Sequence, residues 1–427
     1  MPSPIEVSSV EELGIAAGNS ASGTIIIRGK IVNAPRLQLQ PGQELAGKGE
    51  SPTIEFAPGI DGVQLTANNA VRNLSLLTSA GYRAIYNKPD VDDIGTITIE
   101  SVHTVGQVQI LTECITQSGH VSVNNLDIEF ADATQRLPRP QGFGVSVLQG
   151  AFTLWNRQAA ASVTAELKGI SIGRKDAPAS GGGVFLAGFA QDDIDSLKVS
   201  QLTTGTIFTR GQIVSGPPGS TVYISCGVGN FFGSHVIEVE NLGAVTTFGD
   251  FDMVLDNWGT VDRWIAQRPL TSYGKETAIG FVNYGRIEEV IVHAPIETFG
   301  TGSRGFNEYH GSIGKAEFDR ITTHGDAAPG VQIGCPVARL AVHGGIETHG
   351  GSGKALVSGQ FVQLPAYGLS VTDGGDIEEL LIDGGIVTHG AFNPAGNNAA
   401  SSPVPAVDLC GRVGTLRVTG GVSADGH

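Results

Sequence analysis

Along the second half of the chain, short apolar runs alternate with polar positions at period two, and each run ends the same way. Between Gly243 and Gly426 a β-former is followed by Thr or Ser, then an aromatic ring or His, then Gly. The copies are Thr247-Phe248-Gly249, Ser272-Tyr273-Gly274, Thr298-Phe299-Gly300, Thr323-His324-Gly325, Thr348-His349-Gly350 and Thr388-His389-Gly390. Their closing glycines step by 25, 26, 25, 25 and 40 residues. A second marker runs in phase: Gly259-Thr260-Val261, Gly285-Arg286-Ile287, Gly311-Ser312-Ile313, Gly375-Asp376-Ile377 and Gly411-Arg412-Val413 each open a run such as Ile287 to Val292. A fixed period of this size means stacked repeats.

The repeats show no apolar spacing of helical type. Their runs are rich in Val, Ile, Leu and Thr and are punctuated by Gly, Asn and Asp, which is strand chemistry. The fold class expected is all-β: a single-stranded right-handed parallel β-helix with a short N-terminal capping helix. The hand follows from the rule for parallel crossovers. A repeat of about 25 residues holds three short strands and three turns, stacked roughly 4.8 Å apart. Leucine-rich repeats need a Leu-x-x-Leu-x-Leu frame, which is absent.

Residues 1–22 read as the cap. Ser9 to Glu12 has capping-box spacing, and Val10, Leu13 and Ala17 make one apolar face. Residues 23–427 read as the β-helix, with irregular coils to about 235 and regular coils of about 25 residues after it. Strands are expected at Gly23–Gly29, Thr53–Phe56, Val71–Leu77, Ile94–Glu100 and His120–Ile128. Pro138 and Pro140 mark a protruding loop. An insertion around Gly359 to Gly375 explains the long step, and Phe392 to Pro405 is a second insertion.

Glycine makes up 61 of 427 residues, in keeping with many tight turns. The formal charge of −16 disfavours nucleic acid, which needs clustered Lys and Arg. Apolar runs all fall short of a membrane span, and the N-terminus lacks the basic start and apolar stretch of a signal peptide. A cytoplasmic protein is therefore expected, with no membrane partner, and a secreted or phage-associated one stays open. Cys114, Cys226, Cys335 and Cys410 lack CxxC spacing and read as buried free thiols.

Candidate chemistry follows from the alternation. If Ile346 and Thr348 point inward, Glu347 and His349 point outward. One outer row is then Phe248, Tyr273, Phe299, His324, His349 and His389, beside a row containing Glu297 and Glu347. Such a column is a platform for sugar rings, or a stacking ladder that only rigidifies the sheet. The opposite facing, with rings inside, stays open. His324, His349 and His389 lie one repeat apart near Glu347, but lack His-x-His spacing, so no metal and no cofactor is expected.

Polar residues gather after each repeated Gly: Asp252 and Asp256, then Lys275, then Arg304 and Glu308, then Asp326. Paired carboxylates beside a sugar strip are what glycoside hydrolysis needs. Asp252, Asp256, Glu308 and Asp326 are the acid/base candidates. Phe248, Tyr273, Lys275, Phe299, Arg304, His324, Glu347 and His349 are the substrate-binding candidates. Asp192, Asp193 and Asp195 form a second acidic patch that reads as a solvated turn.

The stacked coils, the N-terminal helical cap and the Val, Ile, Asn and Gly texture resemble the pectate-lyase-like superfamily of right-handed β-helices. The resemblance is architectural. The Asn-Thr-Asp, Gly-Asp-Asp and Gly-His-Gly motifs of polygalacturonases are missing, so no catalytic residue carries over. It implies a glycan partner lying along one strand face. The expected function is a carbohydrate-active enzyme, a glycoside hydrolase or a glycan-rearranging transferase or lyase, acting on an oligosaccharide. The alternative is a non-catalytic trimeric fibre-like or glycan-binding protein.

Overall fold

The computed structural model describes residues 4–19, 23–189, 195–211, 221–392 and 402–426. Most of them are in strands, with one helix, and the long sheets are parallel, an arrangement compatible with a parallel β-helix. The chain divides into two compact units. The first holds Met1–Leu137, Gln149–Ile207 and Asn230–Ile237; the second holds Pro138–Leu148, Phe208–Gly229 and Glu238–His427.

In the first unit, a helix at Val10–Gly18 starts where the sequence places it. Ser9 caps it, its hydroxyl accepting from the Glu12 amide at 3.2 Å, and Glu12 reaches back to the Ser8 amide at 2.8 Å. Leu13, Ala16 and Ala17 form its buried face. Long strands then pair in parallel, and every expected run falls inside one apart from Gly23, which precedes the strand Thr24–Ala34. Their register lines up Ile25, Leu45, Val71, Ile99, Val123 and Leu167 in one buried column.

In the second unit each repeat gives one strand to each of three parallel ladders. One ladder is built from strands such as Arg286–Val292, Ser312–Phe318 and Pro336–Val342. A second stacks Ile296–Thr298, Ile321–Thr323, Ile346–Thr348 and Ile386–Thr388. The third stacks Asp252–Asn257, Phe281–Asn283, Phe306–Glu308 and Val331–Ile333. Between them lie the fully buried rings of Trp264, Phe281, Phe306 and Phe318, with successive centroids 5.0, 6.0 and 4.6 Å apart. Each such ring contributes about 1.5–3 kcal/mol by leaving water.

The repeated glycine has a steric cause. A Cβ on Gly325 would lie 1.9 Å from the carbonyl oxygen of Gly300, and one on Gly350 would lie 1.9 Å from that of Gly325. The same contact recurs from Gly274 to Gly390. The marker is glycine because each turn rests on the backbone of the turn before it.

Two features differ from expectation. The 138–148 segment is no simple loop: Gln141–Gly142 pairs antiparallel with Val145–Val147, which in turn pairs with Val222–Asn230. The long repeat step is a hairpin beginning earlier than expected, Ser352–Val357 paired with Gln360–Pro365. Both hairpins turn on two residues of positive φ, Phe143-Gly144 and Ser358-Gly359, the signature of a type I′ turn. All four cysteines are free, but only Cys226 is buried; Cys114 and Cys410 are exposed because they fall in turns. Asp192 and Asp193 lie outside the described residues. Among the described residues, no helix is long and apolar enough to cross a membrane.

Candidate functional site

The inward column of Thr247, Ser272, Thr298, Thr323, Thr348 and Thr388 is fully buried. Four of its hydroxyls are held by turn carbonyls: Thr298 to Ser303, Thr323 to Ala328, Thr348 to Ala366 and Thr388 to Val404. The following residue therefore faces out. Phe248, Tyr273, Phe299, His324, His349 and His389 form one stack, with centroids 5.5, 5.0, 4.5, 4.9 and 4.8 Å apart. Phe208 extends it at 6.4 Å from Phe248. The planes meet at only 8–19° within the six-ring run. Ring faces thus cover one another, and a ligand would meet ring edges and imidazole nitrogens.

Carboxylates line that edge. Glu297 Oε1 lies 2.9 Å from His324 Nε2, and Glu347 Oε1 lies 3.1 Å from His389 Nε2 and 3.5 Å from His349 Nε2. Burial holds the His349 imidazole below its usual range, and the neighbouring His324 and His389 act the same way, against Glu347. Lys275 and Asp326 are exposed turn residues. The Lys275 amide donates to Asp250 at 2.7 Å, and Asp326 accepts from the Gly351 amide at 2.7 Å.

The other acid candidates sit in strands and not on an open edge. Asp252, Asp256, Arg304 and Glu308 are all fully buried. Asp252 accepts from the Thr209 and Ser225 hydroxyls, both at 2.8 Å, yet burial still pushes its carboxyl up to about 7. Glu308 ends an amide ladder: Asn257 Nδ2 donates to Asn283 Oδ1 at 2.7 Å, and Asn283 Nδ2 donates to Glu308 Oε2 at 2.8 Å. Burial raises the Glu308 carboxyl well above the usual range.

Asp256 lies in a different place. Period-two alternation turns Asp256, Val282 and Asn307 to one face of the ladder and Asn257, Asn283 and Glu308 to the other. Asp256 and Val282 line a small cavity with Met253, Thr277, Tyr284 and Tyr309. Its volume is about 20 Å³, room for roughly one water. The two hairpins cover it, through Phe143 on one side and Leu356, Ser358 and Gly359 on the other. Their tips touch: a Cβ on Gly144 would lie 2.8 Å from the Ser358 carbonyl oxygen. Phe143 also stacks on Tyr284 at 4.2 Å and meets Trp258 edge-on at 5.1 Å.

This cover leaves polar groups poorly satisfied. Neither Asp256 oxygen accepts a hydrogen bond of normal geometry. Burial pushes its carboxyl up to about 8, only partly offset by the Trp258 indole. Arg304 donates to Gln332 Oε1 at 3.2 Å and to the Leu356 carbonyl at 3.3 Å, but its Nη2 has no partner. Neither side-chain polar atom of Asn307 has one. Buried groups of this kind concentrate at functional sites.

The structure thus brings Asp256 and Arg304 under one cover and leaves Asp252, Glu308 and Asp326 elsewhere. Sequence reasoning did not single out Tyr284 and Tyr309 as part of the site. A signal existed: Asn257-Trp258-Gly259, Asn283-Tyr284-Gly285 and Glu308-Tyr309 recur in phase. No family model, no curated protein and no solved structure matches the chain.

Proposed function

We propose that the chain is a right-handed parallel β-helix of the pectate-lyase-like kind that cleaves or rearranges an oligosaccharide, with Asp256 as its proton donor. One observation carries this reading: Asp256 is fully buried, its carboxyl is pushed up to about 8, and neither of its oxygens accepts a hydrogen bond of normal geometry. A neutral carboxylic acid is the state from which a glycosidic oxygen is protonated. Arg304 supplies positive charge beside Tyr309, its guanidinium 5.7 Å from the ring centroid. The two tyrosines supply hydroxyls. Sugar enters only when the two hairpin tips part, because the closed cavity holds little more than a water.

The test is a panel of oligosaccharides assayed for new reducing ends and for unsaturated products, which separates hydrolysis from elimination. Asp256→Asn should abolish turnover, while Asp326→Asn and Glu308→Gln should retain it. A silent panel, or full activity in Asp256→Asn, overturns the reading.

A second reading, glycan binding without catalysis by a trimeric fibre-like protein, draws on a different surface. A groove of about 500 Å³ crosses strands Arg286–Val292 to Asp376–Ile382, floored by Gly314 and Ala338 and walled by Arg286, Glu288, Asp376 and Glu378. Carboxylates and a guanidinium over a small-residue floor suit sugar hydroxyls. Saturable binding without products, lost in Ala338→Trp, would favour it.

A further inference from the structure

Glu347, His349 and His389 bring three ligand atoms within 4.8 Å of one another at the outer edge of the ring stack. Adjacent repeats supply them. His349 follows the strand Ile346–Thr348, and His389 follows its in-register neighbour Ile386–Thr388. The two Nε2 atoms converge on a single oxygen, Glu347 Oε1, at 3.5 and 3.1 Å. Behind His389, Asp425 Oδ2 lies 3.5 Å from Nδ1. A carboxylate on the far nitrogen of an imidazole fixes the tautomer and aims the near nitrogen's lone pair, the support that metal-binding histidines carry. Elsewhere in the column, His324 faces Glu297 with no second imidazole converging on that oxygen.

We propose that Glu347, His349 and His389 form a binding site for a divalent zinc-class cation, with Asp425 orienting His389. Two imidazoles and one carboxylate leave a tetrahedral ion its fourth position for water. Zinc-to-nitrogen bonds of about 2.0–2.1 Å place two nitrogens roughly 3.4 Å apart on one ion. The strand spacing is wider, so the rings must tilt toward each other. Access is open, since the His349 side chain is 38% exposed.

The test is titration of chelator-stripped full-length protein with zinc chloride by calorimetry, and with cobalt(II) by visible absorption. One ion per chain is expected. His389→Phe preserves the ring stack, because Phe already stands in that column, and removes a ligand; it should weaken zinc binding at least tenfold. Glu347→Gln should do the same, and Asp425→Asn should weaken it about tenfold. His324→Phe should leave affinity unchanged. The proposal is overturned if zinc fails to saturate, if His389→Phe and Glu347→Gln bind as well as the parent, or if His324→Phe loses affinity equally. Melting curves of each variant confirm that it folds.

Discussion

Asp256 and Glu308 occupy opposite faces of the same ladder of strands. Register aligns Glu308 with Asn283 and Asn257, and Asp256 precedes Asn257 by one residue. One residue along a strand is one face of the sheet. Asp256 therefore looks into the covered cavity while Glu308 closes the amide ladder. Two carboxylates separated by a sheet cannot flank one glycosidic bond. This is why Asp256 alone is taken as the proton donor, and why Glu308 is given a structural part.

Glu308→Gln follows directly. Burial raises the carboxyl well above its usual range and so favours its neutral form, and its Oε2 accepts from Asn283. Glutamine offers the same acceptor without a proton to lose. Stability at pH 7 should change by less than about 1 kcal/mol, whereas Glu308→Ala leaves Asn283 Nδ2 with only its bond to the Gly285 carbonyl and should cost about 1–3 kcal/mol. Urea unfolding of both variants checks this. Equal losses in the two would remove the ladder argument.

Asp256→Asn tests the raised carboxyl without reference to any substrate. Its folded value of about 8 stands above the ordinary aspartate value of 3.8, so the folded state binds the extra proton between them. Stability then falls as pH rises from about 4 to 8, since the unfolded chain gives up that proton first. Asp252, raised to about 7, adds to the same slope. The variant should be more stable than the parent at pH 9, on the order of a few kcal/mol, and nearly equal to it at pH 4. Denaturation curves at the two pH values decide it; a parent protein equally stable at both would show that Asp256 is not buried in this way.

Much of this was legible before any coordinates. The period fixed which residues become neighbours, so the ring column from Phe248 to His389 could be written down from the spacing alone. The burial of Thr348 between exposed or half-buried Glu347 and His349 follows from alternation. The cover over Asp256 was not legible. It comes from the Phe143-Gly144 and Ser358-Gly359 tips, residues more than 200 positions apart, and nothing local to either shows that they touch. Without the cover, Asp256 and Arg304 read as ordinary turn residues. Polarity placed them outside; the second layer of chain placed them inside.

Acid should loosen the ring stack at His349. Burial, and the adjacent His324 and His389, favour its neutral form, so its folded proton affinity lies below the unfolded value. Its contribution is complete above the unfolded value near 6.5 and is lost as pH falls below it. His349→Phe keeps a flat ring between His324 and His389 and cannot be protonated. The variant should lose less of its melting temperature between pH 7 and pH 5 than the parent does. An identical drop would place the acid sensitivity elsewhere.

The repeated glycine gives the sharpest contrast. Gly325→Ala would place a Cβ 1.9 Å from the Gly300 carbonyl and 2.3 Å from its carbon, both backbone atoms that neighbouring ladders hold in place. Real Cβ contacts do not come this close, so one repeat must shift against the next. Overpacking of this kind costs typically about 1–3 kcal/mol, occasionally more, and a rigid backbone neighbour puts this case at the upper end. Gly14→Ala is the control: it sits in the helix Val10–Gly18 with nothing within 4 Å of its Cβ. There the gain in helix propensity should stabilise the chain by about 0.5–1 kcal/mol. Thermal and urea unfolding of the pair should therefore move in opposite directions. If Gly325→Ala is tolerated, turns of adjacent repeats do not rest on one another, and the reason for a conserved spacing of glycine within this chain is lost.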